Sequence, residues 1–350
     1  MQNPNPLGIY KEHLALLDEQ LTNLLRKKNV LAWLRFFSLA GAGIGLWQLW
    51  SLNWIAALIV SASLIAIFLF FVTRDINNRE EIENTKRLSE INTEEINILH
   101  HHFTDRADGR SFQPAHHDYA NDLDLFGKAS LYQYINRTYS EQGSKLFSDW
   151  LLHPAHTDLI KKRQEAAKEL SAIIFSLQQF RSYSIANRIT IDSEQKVTKW
   201  LQQPNKLSAG IVWRSIRFIL PAAAITVFLL YLFSAISSSL FFPLLLLFFA
   251  IAFGITKRLM PDYALLNKIV PELETLFQSI LWIEKLETKT ELVRSLKEDL
   301  GTGTQKASGS ILQLKKILER LDYRYNPLVH VPLNIFFLWD RFWHYEKHYA

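Results

Sequence analysis

Two stretches of this 350-residue chain carry no charged side chain: Phe36 to Thr73, 38 positions, and Phe218 to Thr256, 39 positions. About 20 apolar residues cross a bilayer once, so each run has room for two crossings and a tight turn. The polar break in the first run is Gln48 to Asn53, flanked by Trp47, Trp50 and Trp54, whose indole rings favour the lipid–water interface. Ser234 to Ser239 breaks the second run, just after Tyr231 and Phe233. Trp33 and Trp213 stand near the outer ends of the two runs as further interface anchors. The pattern predicts four transmembrane helices in two hairpins. The competing reading, buried helices of a large soluble core, needs uncharged runs longer than soluble domains ordinarily carry. A secretory signal does not fit the first run, because roughly 30 amphipathic, charged residues precede it.

Outside the runs the period is helical. Leu14, Leu17, Leu21, Leu24 and Leu25 give residues 7–29 an apolar stripe leading into the membrane. Residues 74–98 are highly charged, with sparse apolar positions such as Ile76, Ile82, Leu88, Ile91 and Ile96, and read as a solvent-exposed helical stalk. A loop is predicted over 99–121, with Gly109, Pro114 and several Asp residues. Alternating apolar patterning never persists, so the fold class is all-α.

Charge orients the hairpins. Arg26, Lys27, Lys28 and Arg35 precede the first and Arg74 and Arg79 follow it; Lys206, Arg214 and Arg217 precede the second, and Lys257 and Arg258 follow it. The turns carry none, so the N-terminus, the middle segment and the C-terminal segment are expected on the cytoplasmic side, that of the inner membrane if the source is bacterial. Residues 75–211 hold 17 Lys and Arg against 19 Asp and Glu, so the overall excess of +5 lies elsewhere. Basic residues at membrane flanks suit lipid headgroups better than a nucleic-acid backbone. With no cysteine, disulfides and thiolate metal sites are excluded.

Between the hairpins, residues 122–170 read DLDLFGKASLYQYINRTYSEQGSKLFSDWLLHPAHTDLIKKRQEAAKEL. Thr138 and Ser140 are placed to cap a helix beginning near Glu141, Pro154 ends it, and Asp158 starts the next. Leu146, Phe147, Trp150 and Leu151 are expected to form its core stripe. The order of Ser130 and Leu131, Asn136 to Thr138, Gly143, Trp150 and Leu151, Pro154 and Arg163 resembles the core domain of the MutS family of DNA mismatch-repair ATPases. The likeness continues through 171–203 and 262–340, toward and back from that family's lever arm, and residues 326–340 resemble its membrane-associated members.

The departures from the family are specific. Nothing before residue 122 resembles its mismatch-reading domain, and the second hairpin stands where its DNA-gripping clamp interrupts the lever. A phosphate-binding loop needs G-x-x-x-x-G-K-[ST]. In Gly301 to Ala307 (GTGTQKA), Gln305 stands before Lys306 where glycine is required and Ala307 comes after it where a hydroxyl is required; in Gly127 to Ser130 (GKAS) the hydroxyl comes one residue late. ATP and magnesium are thus implied by the resemblance only for a nucleotide-binding domain outside these residues. The aromatic group Phe336, Phe337, Trp339, Phe342 and Trp343 reads either as folding back onto the core or as an interface for that domain.

Other chemistry is sparse. His100, His101 and His102 with His116 and His117 are weak metal candidates, since adjacent histidines in a polar loop are more often solvated. Gly41 and Gly45 form a small-xxx-small pair within a span. No Asp, Glu, Lys, Arg or His lies inside the runs, which argues against a transporter, and no catalytic constellation is recognisable, so no catalysis is expected from this chain alone. The resulting division is an amphipathic helix (1–30), a first hairpin (31–73), stalk and loop (74–121), MutS-like core (122–211), a second hairpin (212–256) and returning lever with aromatic segment (257–350). Three functions are compatible with this division: a membrane-anchored MutS-like core and lever, the N-terminal part of a MutS-type ATPase whose nucleotide-binding domain lies outside these residues, working as a homodimer or with an ATPase domain; an ATP-independent membrane scaffold or protein-interaction module; and, from family likeness alone, mismatched-DNA binding, which the missing DNA-contacting parts make doubtful.

Overall fold

The computed structural model describes residues 5–202, 211–251, 269–301 and 306–322. Lys206, Lys257, Arg258 and the aromatic group from Phe336 to Trp343 lie outside the described residues, as do the side chains of Trp213, Arg214 and Arg217. Among the described residues the regular elements are helical and none is a strand. In chain order they are α1 (Pro6–Trp50), α2 (Trp54–Leu99), a single 3-10 turn (Arg110–Phe112), α3 (Leu131–Ile135), α4 (Glu141–Leu152), α5 (Thr157–Ser171), α6 (Ile174–Ala186), α7 (Ile191–Gln202), α8 (Ile211–Leu232), α9 (Ser238–Ile251), α10 (Val270–Lys285), α11 (Glu291–Asp299) and α12 (Ala307–Asp322). They form two compact units, Met1–Tyr139 with Gly143–Ala186, and Ser140–Gln142 with Asn187–Ala350.

The first unit is built on an antiparallel hairpin of two very long helices. Asn5 caps α1 by accepting the Leu7 N–H at 3.1 Å, with Pro6 in the first turn. The polar break becomes the turn Ser51–Asn53, and Asn53 Oδ1 accepts the N–H groups of Ile55 (3.0 Å) and Ala56 (3.2 Å) to start α2. At about 1.5 Å per residue the 45 residues of α1 span roughly 65–70 Å, about twice a bilayer's hydrocarbon thickness. Both helices are long and apolar enough to cross a membrane.

One seam runs the whole length. On α1 the buried residues Leu17, Leu24, Leu31 and Ser38 recur every seven positions, with Ala42 beyond them and half-buried Leu14, Leu21, Arg35, Gly45 and Leu49 at the intermediate steps. On α2 the inward residues are Ala57, Ser61, Leu64, Phe68, Phe71, Asp75, Asn78, Ile82 and Thr85, spaced four and three in alternation. A period of 3.5 is that of a left-handed coiled coil. Ser61 Oγ donates to the Ala42 carbonyl at 3.0 Å and Asn78 Nδ2 to the Leu24 carbonyl at 3.1 Å, which fixes the register.

What fills the seam changes along it. In the uncharged half the fully buried positions, Ser38, Ala42, Ala57 and Ser61, are small or hydroxylic, with Leu64, Phe68 and Phe71 half-buried beside them, while Phe36, Phe37, Ile59 and Phe70 point outward and are more than half exposed. A methyl added to Gly41 or Gly45 would lie 3.5 Å from Leu64 Cδ1 or 3.4 Å from Val60 Cγ1 of the facing helix, so this small pair sits at the helix–helix contact. In the charged half leucines and isoleucines turn inward. The expectation of a solvent-exposed stalk over 74–98 is therefore corrected: Ile82, Thr85, Leu88, Ile91, Asn92 and Ile98 are buried, because the sparse apolar positions lie along faces that pack on α1 and α6. The expected separate N-terminal helix is likewise continuous with the first apolar helix.

Two reciprocal amide pairs fasten α6 to α2. Asn84 and Gln179 exchange hydrogen bonds at 3.2 Å in both directions, and Asn92 and Gln178 do so at 3.1 Å. Asn92 is fully buried, also meets His13 Nδ1 at 3.3 Å, and lies two helical turns from Asn84.

α4 begins at Glu141 as its capping residues imply, but its buried face differs from expectation. Ser144 and Ser148 are buried and Phe147, Leu151 and Leu152 pack on the loop core, whereas Leu146 and Trp150 are about half exposed. The reason is angular: positions 146 and 150 lie one turn apart on a face rotated about 100° from 147 and 151. Trp150 is instead covered on one side by Arg163 of α5, whose guanidinium carbon is 3.9 Å from the ring centroid.

In the second unit, α8 and α9 form a hairpin turning over 233–237, with Tyr231 stacked on Phe241 at 4.2 Å. Among the described residues its apolar helices, Ala222–Leu232 and Ser238–Ile251, are each shorter than a full crossing. Ile269 and Leu273 form a small core with Val197, Ile311 and Leu314. Ser308 opens α12 by donating from its N–H (3.0 Å) and hydroxyl (2.6 Å) to the Glu284 carboxylate near the end of α10.

Candidate functional site

The most densely bonded place in the first unit is where the far end of α2 meets the segment running from the loop into α3 and α4. The 99–121 loop leads into it and, with residues 122–132, forms a core rather than a tether. Ala120, Leu125, Phe126 and Tyr132 are buried together with Phe112, Tyr119 and Phe147 around them. Tyr132 stands among Phe112, Phe126 and Phe147, with ring centroids 5.9, 5.6 and 5.4 Å away. Gly109, at φ +67°, lies beneath that ring: a Cβ there would fall 2.6 Å from Tyr132 Cδ1.

The next residue, Gln133, is 1% exposed and fully engaged. Its Oε1 accepts the Ala129 N–H at 2.7 Å, and its Nε2 donates to the carbonyls of Thr104 (2.9 Å) and Arg106 (2.6 Å). Ser130, also buried, caps α3 by accepting the Gln133 N–H at 3.2 Å. The hydroxyl of GKAS is thereby committed to a helix cap and has no fit as a magnesium ligand.

Around this latch lies an ionic cluster. Arg181 of α6, 9% exposed, donates Nη1 to Glu95 at 2.7 Å, Nη2 to Glu94 and to the Tyr139 hydroxyl at 2.9 Å. Arg106 donates Nε to Glu94 at 2.6 Å and its two terminal nitrogens to the carbonyls of Gln133, Tyr134 and Asn136. Arg137 takes Glu95 in a two-point grip, Nε at 2.7 Å and Nη2 at 2.8 Å. Burial works to raise the Glu94 carboxyl, but Arg181 and Arg106 outweigh it and hold it below the usual carboxylate range. Burial likewise opposes the charge on Arg181, while Tyr139, Glu94 and Glu95 favour it, and the net shift is upward. Held in this way, Glu94 stays charged near neutral pH and is poorly suited to proton transfer there. The cluster is a mechanical joint, tying α2, α6, the loop and the segment after α3 together.

Several of the motif residues meet at this joint. Asn136 is buried at the end of α3; its Oδ1 accepts the Thr138 N–H (2.9 Å) and hydroxyl (2.7 Å), and Thr138 reaches Ser144 at 2.9 Å. Thr138 therefore holds the entry to α4 through side-chain bonds to its neighbours. Gly143 lies in the first turn of α4, with Leu131, Trp150, Pro154 and Arg163 outside the cluster. The histidines are not brought together: His100, His101, His102 and His116 are exposed, while His117 Nε2 lies 3.0 Å from the Leu152 carbonyl. No group of three metal-ligating side chains occurs among the described residues.

A second ionic site lies at the edge of the uncharged run. Asp75, 1% exposed within the coiled-coil seam, meets Arg35 of α1 at 3.0 Å and Arg79 one turn along α2 at 2.9 Å. The tryptophans bracket the apolar half: Trp33 is 62% exposed at one end, and Trp47, Trp50 and Trp54 are 80, 57 and 57% exposed around the turn. No family model matches the chain, and no curated protein or solved structure matches it either. Periodicity does not reveal Glu94, Glu95, Arg106, Gln133 and Arg181, because isolated charged residues on helices and in loops read as solvated; the neighbouring pair Glu94 and Glu95, with arginines on three separate segments, is the available signal.

Proposed function

We propose that this chain is a membrane-anchored, MutS-like core and lever: the N-terminal part of a MutS-type ATPase, the part that holds and moves, with nucleotide chemistry supplied by a nucleotide-binding domain outside these residues. The observation that carries the reading is the hairpin turned inside out. Over its uncharged half many large apolar side chains are exposed on the outside, the fully buried seam positions Ser38, Ala42, Ala57 and Ser61 are small, and tryptophans stand at both borders. A soluble core helix buries its large side chains, so lipid is the solvent that suits this surface. Three of the residues that resemble the MutS core, Ser130, Asn136 and Thr138, lie beside a joint directly continuous with that hairpin, which supports the core as the element anchored. In this reading both hairpins cross the membrane, the basic flanks keep the N-terminus, core and C-terminal segment in the cytoplasm, and the coiled coil carries the joint about 30 Å from the membrane face, some 20 residues beyond Thr73.

The test is co-purification from native membranes. An ATPase domain bearing a G-x-x-x-x-G-K-[ST] loop, recovered with this chain and released or tightened by ATP and magnesium, is the expected result. Recovery of stable protein partners whose association ignores nucleotide would favour the ATP-independent scaffold instead. Mismatch-selective duplex binding by the chain in the absence of other proteins would contradict the assignment of DNA reading to parts it lacks.

A further inference from the structure

We infer that the base of the coiled coil is a binding collar for acidic phospholipid headgroups. The inference rests on the membrane reading and assigns that membrane's chemistry. Residues 26–35 of α1 and 74–79 of α2 run side by side just beyond the uncharged half, and together they hold six cations, Arg26, Lys27, Lys28, Arg35, Arg74 and Arg79, against the single acid Asp75. That local excess of six cations over one acid is as large as the whole chain's formal +5.

The structure separates the signs radially. Asp75 is buried in the seam, where Arg35 and Arg79 reach inward to it at 3.0 and 2.9 Å. Arg26, Lys27, Lys28 and Arg74 are exposed on the outside. Arg74 leans over the ring of Phe70, 5.2 Å from its centroid, which draws its charge back toward the edge of the apolar surface. Acids facing the collar from farther along are Glu81, 3.7 Å from Lys27 in an exposed pair, with Glu80 and Glu83 beside it. They lie on the side away from the uncharged run, so the surface toward lipid stays basic. A ring of exposed guanidinium and ammonium groups at headgroup depth, rimmed by Trp33, fits lipid phosphates within about a Debye length of roughly 8–10 Å.

The test uses the full chain reconstituted into bilayers containing a brominated lipid, with tryptophan quenching as the readout. Brominated phosphatidylglycerol should displace brominated phosphatidylcholine from the protein's surface, by about fivefold in relative binding per cation engaged, and the preference should shrink as salt is raised. In R26Q/K28Q/R74Q the preference should fall by an order of magnitude or more, while quenching by phosphatidylcholine, the sign of insertion, stays as in the unmodified chain. Equal quenching by the two lipids, or an undiminished preference in the triple variant, overturns the collar and leaves the anchor standing. Absence of quenching by either lipid overturns the anchor and the collar together. A preference erased by a short DNA duplex at constant ionic strength would assign the cations to nucleic acid and overturn the lipid proposal.

Discussion

Gly109 shows how much a single position constrains the joint. Its left-handed backbone and the 2.6 Å approach that a Cβ would make to the Tyr132 ring act together, so Gly109→Ala is expected to lower unfolding free energy by about 2–4 kcal/mol, read from denaturant or thermal melts in detergent. Arg181→Met leaves Glu94 and Glu95 with fewer buried partners; a loss of about 3–5 kcal/mol is expected, and a neutral effect in the same melts would show that the cluster contributes only specificity. Because the folded state holds Glu94 below its ordinary range, its contribution is complete above that range and disappears as pH falls through the depressed value. Acid melts should show this loss, and Glu94→Gln should remove it, leaving a flatter pH profile. At this scale the sequence is partly legible. Asn136 and Thr138 are marked by their order in the motif, yet Arg106, which donates to the Asn136 and Gln133 carbonyls, and Gln133, which ties the loop to α3, carry no local pattern. Contacts between residues 27 or 86 positions apart become visible only once the helices are packed.

At the scale of elements, helices are legible and their lengths are not. The uncharged run, its tryptophan-flanked break and the capping residue Asn53 all point to the turn that is observed. The fusion of charged and apolar stretches into helices of 45 and 46 residues is hidden because composition changes abruptly at Phe36 and Thr73 while the three-four spacing does not. Ser38, Ala42, Asp75 and Asn78 hold seam positions without being large apolar residues, so a search for hydrophobic stripes passes over them. The absence of native cysteine makes the register directly testable. Gly45→Cys with Val60→Cys should form an intramolecular disulfide on mild oxidation, whereas Gly45→Cys with Ile59→Cys should not, since position 59 faces outward; the reverse outcome would mean a slipped seam. Gln178→Ala leaves the fully buried Asn92 amide without its reciprocal partner and should weaken the α2–α6 contact by about 1–3 kcal/mol, seen as faster amide exchange in α6.

For the whole molecule, the proposed reading is that one coiled coil serves two solvents. Its interior keeps a constant period, while its exterior switches from large apolar side chains to charges at the level of Asp75. The central claim, that this hairpin spans a membrane and holds the core on the cytoplasmic side, is tested most directly by single-cysteine labelling in intact cells. A membrane-impermeant maleimide should label Ser51→Cys, at the hairpin turn, and Ser237→Cys, at the turn between α8 and α9, without lysis. Ser111→Cys, exposed beside the joint, should be labelled only after lysis. Labelling of Ser111→Cys in intact cells, or protection of Ser51→Cys until lysis, would contradict the account.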